Sequence, residues 1–280
     1  MLAPVPNFFI AGAPKCGTTS LYHYLDRHPE IYMSPIKEPN YFASEIRLDR
    51  FSARLRPRAE RDAETLRAFL DGPMEEKRFG GLVAAWPDYL KLFRNARARK
   101  AIGEASVCYL WSESAARNIQ HSIPDARIIV VLRNPVDVLF SMYVHTLRSG
   151  AIECTFREAI QMGMEQRGGS IDVMNPFLEF GFYYQQMQRF LKAFSRDRVR
   201  IYWYEEYQAA PARMLADVFR FLGVDPDFVP DMSKRYLEAA LPNVVMNSAD
   251  RAFLVEFYRD DILKLADLLD RDLSPWLMTL

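Results

Sequence analysis

Short apolar runs that stop abruptly at loop-forming residues set the pattern of this chain. Phe8 to Ala11 and Ile128 to Leu132 are too short for buried helices and are partly aromatic or β-branched, so each predicts a buried strand. Apolar positions at helical spacing follow both runs. After the first, Thr18 or Thr19 is expected to cap a helix with Leu21 and Leu25 on one face, stopping at His28-Pro29. After the second, Asn134 is a good N-cap and Pro135 suits the first helical position, and Val138, Leu139, Met142 and Val144 keep the helical spacing. A third strand is expected at Val199 to Tyr204, between a helix over Phe182 to Phe194 and another over Pro211 to Leu222. Phe253 to Leu269 reads as the last helix. Strands separated by helices predict an α/β fold, a P-loop-like parallel β-sheet with helices on both faces.

With 280 residues, half of them apolar, the chain can bury one large core, so residues 1–280 are expected to form a single domain. Residues 44–101 interrupt the alternation and read as a helical insertion or acceptor-side lid. Its arginines at 47, 50, 54, 56, 58, 61 and 67 are interleaved with acids, which favours a solvated, ion-paired face over an arginine-lined acceptor site. The 36 basic and 36 acidic residues cancel, so no bulk field draws the molecule to nucleic acid or an anionic membrane, and any anion site must be local. Cys16, Cys108 and Cys154 are widely spaced, without CxxC or Cys/His clusters, which argues against a disulfide framework or a zinc site and fits a reducing cytoplasm. No basic leader precedes Lys15 and no apolar run is long enough to span a bilayer, so a soluble, cytoplasmic chain is expected. A homodimer is compatible with this composition.

The strongest chemical signal is Gly12-Ala13-Pro14-Lys15-Cys16-Gly17-Thr18-Thr19-Ser20, placed between a strand and a helix. Backbone N–H groups and a helix N-terminus at such a turn make an anion cradle. The GxxxxGK[ST] pattern of nucleotide triphosphatases is only partly met, because Thr18 stands at the lysine position and the lysine sits inside the loop at Lys15. Cys16 reads either as redox-sensitive or as a small filler. The second signal, Arg133-Asn134-Pro135-Val136-Asp137 with Ser141 about two turns on, places a guanidinium fork at another strand end. Two separate strand-to-helix crossings of one sheet suit a ligand with two separated anionic groups. Arg133 bridging to Asp137 is the competing structural reading.

These motifs carry a resemblance. Pro14 to Leu21 resembles the 5′-phosphosulfate motif of the sulfotransferases that use 3′-phosphoadenosine 5′-phosphosulfate (PAPS), and Leu132 to Asp137 with Ser141 resembles their 3′-phosphate motif. The likeness continues through Lys37-Glu38-Pro39-Asn40-Tyr41-Phe42, Gly103-Glu104-Ala105-Ser106, Phe221-Leu222-Gly223 and Asp270 to Trp276. It is nearer to the heparan-type and bacterial branch than to the cytosolic aryl branch, whose Lys-Thr-His histidine has no counterpart among His23, His28, His121 and His145. The resemblance implies a metal-free enzyme that takes a sulfuryl group from PAPS, leaves PAP, and uses Lys15 and Glu38 catalytically. It also implies that Pro14, Lys15, Cys16, Gly17, Thr18, Thr19, Ser20, Arg133, Ser141 and Tyr204 hold the donor. The acceptor would be a carbohydrate, lipid or small molecule with a hydroxyl or amine. Lys234 and Arg235 are candidates to complete the 3′-phosphate site, although the family's glycine-rich surroundings are missing there. A P-loop kinase and a non-catalytic PAP-binding module are the alternatives.

Overall fold

A computed structural model describes residues 4–96, 98–166, 169–172, 177–233, 236 and 244–279. Its strands are β1 (Phe8–Gly12), β2 (Ile31–Met33), β3 (Ile36–Lys37), β4 (Arg78–Phe79), β5 (Ala101–Ala105), β6 (Arg127–Leu132) and β7 (Val199–Trp203). The helices are α1 (Thr18–Asp26), α2 (Arg56–Asp71), α3 (Trp86–Lys91), α4 (Cys108–Trp111), α5 (Ala115–Ser122), α6 (Pro135–Arg148), α7 (Phe156–Glu165), α8 (Tyr183–Ala193), α9 (Tyr204–Ala209), α10 (Pro211–Leu222) and α11 (Ser248–Leu269). Five strands form a parallel sheet in the order β2-β5-β1-β6-β7, flanked by helices, and β3 pairs with β4 in a small second sheet. The α/β parallel architecture anticipated from the sequence is the one observed.

β1 lies at the centre of the main sheet and is fully buried, as is β6 apart from Arg127. Both runs are apolar along their whole length because a strand covered on both faces has no polar side. Two strands of the main sheet were not legible in the sequence. β2 is only three residues long, and β5 reads Ala-Ile-Gly-Glu-Ala, with two poor strand formers at its centre. Gly103 is required by packing, since a Cβ there would stand 2.2 Å from the Phe8 ring.

Several boundaries differ from expectation. Gly17, not Thr18 or Thr19, is the N-cap of α1, and that helix ends at Asp26, before His28. Tyr204 opens α9 and does not end β7. α11 begins at Ser248, because the Asn247 side chain accepts from Asp250 N and sets the helix start ahead of the apolar stretch. Asn134 does cap α6, accepting from Val136 N. Asp137 pairs with Arg251 of α11 at 2.5 Å, which replaces the bridge to Arg133 considered from sequence.

Within residues 44–101, α2 buries Leu66 and Leu70 and turns its arginines to solvent; Arg47 and Arg58 pair with Asp49 and Asp62. That is the solvated face expected from the charge pattern. Lys234 and Arg235 lie outside the described residues. Among the described residues no helix is long and apolar enough to cross a membrane.

Candidate functional site

The carboxyl ends of β1 and β6 open into a cavity of about 970 Å³. Its floor is the β1–α1 loop. Lys15 and Gly17 both take left-handed backbone conformations, with φ 59° and 76°. A turn of this kind aims successive N–H groups at one point and forms an anion nest. Gly17 is needed twice over, for its φ and because a Cβ there would meet the Tyr207 ring at 2.7 Å. No side chain caps α1, so the first-turn N–H groups at Thr18, Thr19 and Ser20 are left to a ligand. Pro14, Lys15, Gly17, Thr18, Thr19 and Ser20 all line the cavity. Cys16 does not, because its thiol is turned into the core and donates to Pro14 O at 3.3 Å. Burial pushes that thiol up to about 12, so it packs as a small apolar group.

Arg133, at the end of β6, donates to Lys15 O at 3.3 Å and lies 4.6 Å from the centre of the Tyr204 ring. The hydrogen bond ties the two crossings together, and the stack fixes the guanidinium plane. Ser141, on the cavity-facing side of α6, reaches the same space. Tyr204, Tyr207, Tyr24 and Tyr236 add aromatic lining to the same cavity.

Glu38 enters from the loop after β3, with its backbone N–H bonded to Ala105 O at 2.7 Å. The structure thus brings Lys15, Glu38, Arg133, Ser141 and Tyr204 to one cavity, although they come from four widely separated segments. Burial lowers the Lys15 pKa, and the neighbouring Arg133 lowers it further, against the opposing pull of Glu38.

Sequence reading gave no role to Lys37. Its side chain is 3% exposed, it lines the cavity, and its Nζ donates to Glu38 Oε1 at 2.6 Å. Its position directly before Glu38 in the Lys-Glu-Pro turn was the available signal. His145, one turn beyond Ser141, also lines the cavity, and burial followed by the Lys15 charge lowers its pKa. A chain of zero net charge thus gathers Lys15, Lys37 and Arg133, with Glu38, around one space, a local concentration of positive charge.

Comparison with known proteins agrees with this geometry. Residues 6–228 match the model of the sulfotransferase family. A crystal structure of a sulfotransferase from Alicyclobacillus acidocaldarius superposes with a TM-score of 0.80 at 32% identity, covering 98% of this chain and all of that one. The rat (Rattus norvegicus) carbohydrate sulfotransferase 15 is 25% identical over 98% of this chain and 55% of its own length. The bovine (Bos taurus) bifunctional heparan sulfate N-deacetylase/N-sulfotransferase 2 is 26% identical over 95% of this chain and 30% of its own. The chain thus spans about half or less of the curated relatives it matches. It belongs to the sulfotransferase family.

Proposed function

We propose that the chain transfers the sulfuryl group of PAPS to a hydroxyl or amine of a carbohydrate or small-molecule acceptor, releasing PAP. The observation that carries this reading is the meeting of Lys15 and the Lys37–Glu38 pair with Arg133 and Ser141 in one cavity. The site suits a nucleotide that carries two separate anionic groups on one ribose. The Gly17 nest and the α1 amides accept the 5′ end. Arg133 and Ser141 face the 3′-phosphate, and the tyrosine lining takes the adenine. The cavity volume is of the size that encloses such a ligand.

The division of labour follows from charge. Sulfuryl transfer resembles phosphoryl transfer in its loose, in-line transition state, so the protein mainly aligns groups and offsets charge. As the acceptor oxygen or nitrogen bonds to sulfur, its proton passes to the Glu38 carboxylate. The bond from sulfur to the bridging oxygen breaks, and Lys15 stabilises the negative charge left on the departing phosphate. Lys37 holds Glu38 by Oε1 and orients the carboxylate in the cavity. The names of the curated relatives favour a carbohydrate acceptor.

Calorimetric titration with PAP and with ATP, each with and without magnesium, tests the donor. Magnesium-independent preference for PAP is expected. Magnesium-dependent preference for ATP would overturn PAPS as the donor.

A further inference from the structure

Glu104 stands in the middle of the main sheet, fully buried, and the transfer chemistry does not use it. Its Oε2 accepts from Ser106 Oγ at 3.2 Å, and Ser106 Oγ in turn accepts from Asn40 N at 3.2 Å. Beside it, the Tyr109 hydroxyl accepts from Phe42 N at 3.3 Å. Both tyrosines flanking the carboxyl, Tyr109 of α4 and Tyr89 of α3, lie near enough to affect its ionisation. Glu104 Oε1 and the Tyr89 hydroxyl are buried without a hydrogen-bond partner at normal distance, so this polar cluster is costly and needs a reason.

That reason lies in the loop it touches. Glu38 and Asn40 both have left-handed backbones, φ 68° and 58°, and neither is glycine. Such conformations persist only where surrounding contacts over-determine them. The contacts here come from one stretch of chain: Ala105 O takes Glu38 N, Ser106 Oγ takes Asn40 N, Cys108 Sγ reaches Asn40 Oδ1 at 2.9 Å, and Tyr109 takes Phe42 N. Glu104 bonds directly to the Ser106 hydroxyl that makes the second of them, and Tyr109, which makes the last, flanks it.

We propose that Glu104 is a positioning residue: bonded to Ser106 and flanked by Tyr109, it holds the strained Glu38–Phe42 loop, and so the Glu38 carboxylate, in the geometry used for transfer. This rests on the reading of Glu38 as the base. Burial raises the Glu104 carboxyl to about 8, against the pull of Tyr109, Ser106 and Tyr89, while Glu38 adds like-charge repulsion. The titratable groups facing it are Tyr109 and Cys108 of α4, Tyr89 of α3 and Glu38 of the loop.

Amide hydrogen exchange over residues 38–43, corrected for intrinsic rates, reads this directly and needs no acceptor. In Glu104→Ala, Ser106→Ala and Tyr109→Phe the Asn40 and Phe42 amides should exchange at least about tenfold faster, with PAP affinity within about twofold of wild type. Glu104→Gln, which mimics the neutral carboxyl, should keep wild-type protection. Unchanged exchange in Ser106→Ala and Tyr109→Phe overturns the proposal, as does loosening spread over the whole sheet. If Glu104→Ala does not fold, those two variants decide the matter. A loop that loosens as expected while Glu38→Ala transfers sulfuryl groups at the wild-type rate would sink the role of Glu38 and leave the network standing.

Discussion

The two crossings that flank the cavity solve the same problem in opposite ways. At β1–α1 the proposed anion site is backbone: a left-handed Lys15 and Gly17, and a helix whose first turn no side chain caps. At β6–α6 the helix is capped by its own Asn134, which takes the Val136 N–H, so the positive charge must come from side chains, Arg133 above all. A backbone nest approaches a ligand closely and suits the end where bonds break. A guanidinium fork gives bidentate recognition at a distance and suits a phosphate that only needs to be identified.

The difference can be broken most strongly at Lys15. Lys15→Ala removes the side-chain charge carried by the β1–α1 loop itself and should cost about 2 to 4 kcal/mol of transition-state stabilisation, as for loss of one preorganised oxyanion donor. Single-turnover transfer from PAPS should slow correspondingly, while calorimetry shows PAP affinity reduced far less. An equal loss in rate and affinity would mean that Lys15 only binds.

Arg133→Ala should act on binding. A charge-assisted hydrogen bond contributes about 1.5 to 3 kcal/mol, so PAP affinity should fall roughly ten- to a hundredfold. Adenosine 5′-phosphosulfate, which lacks the 3′-phosphate, should bind the variant and the wild type alike. If both ligands weaken equally, Arg133 acts through its bond to Lys15 O and its stack on Tyr204, and the two crossings are not independent.

The same contrast explains what the sequence showed and what it hid. β1, β6 and the Asn134 cap were legible because their signals are local: apolar runs, a capping side chain, a proline at the first helical position. The α1 cap was misjudged because threonines are good caps, and a site that reserves its amides for a ligand must break that rule. β5 was hidden because Gly103 serves the Phe8 ring and Glu104 serves a loop far away in sequence, and neither purpose shows in strand propensity. Lys15, Arg133 and Ser141 stood out through their local patterns and Glu38 and Tyr204 through motif resemblance, and all five line one cavity. Lys37 acquires meaning only when β3 turns its side chain into the cavity beside Glu38, a fact of three dimensions.

The smallest expected effect is the sharpest test of the comparison. Asn134 is buried, accepts from Val136 N at 3.0 Å, and donates to Trp276 O at 3.3 Å, tying the start of α6 to the C-terminal segment. Its role is thus structural, although it stands next to Arg133 within the motif. Asn134→Ala should lower stability by about 1 kcal/mol, the usual cost of losing an N-cap, and calorimetric melting should register it as a drop of a few degrees at most. PAP affinity and the preference for the 3′-phosphate should stay within about twofold of wild type. Were β6–α6 built like β1–α1, with amides held for the ligand, the outcome would reverse: the freed Val136 N–H would change PAP affinity and melting would be untouched.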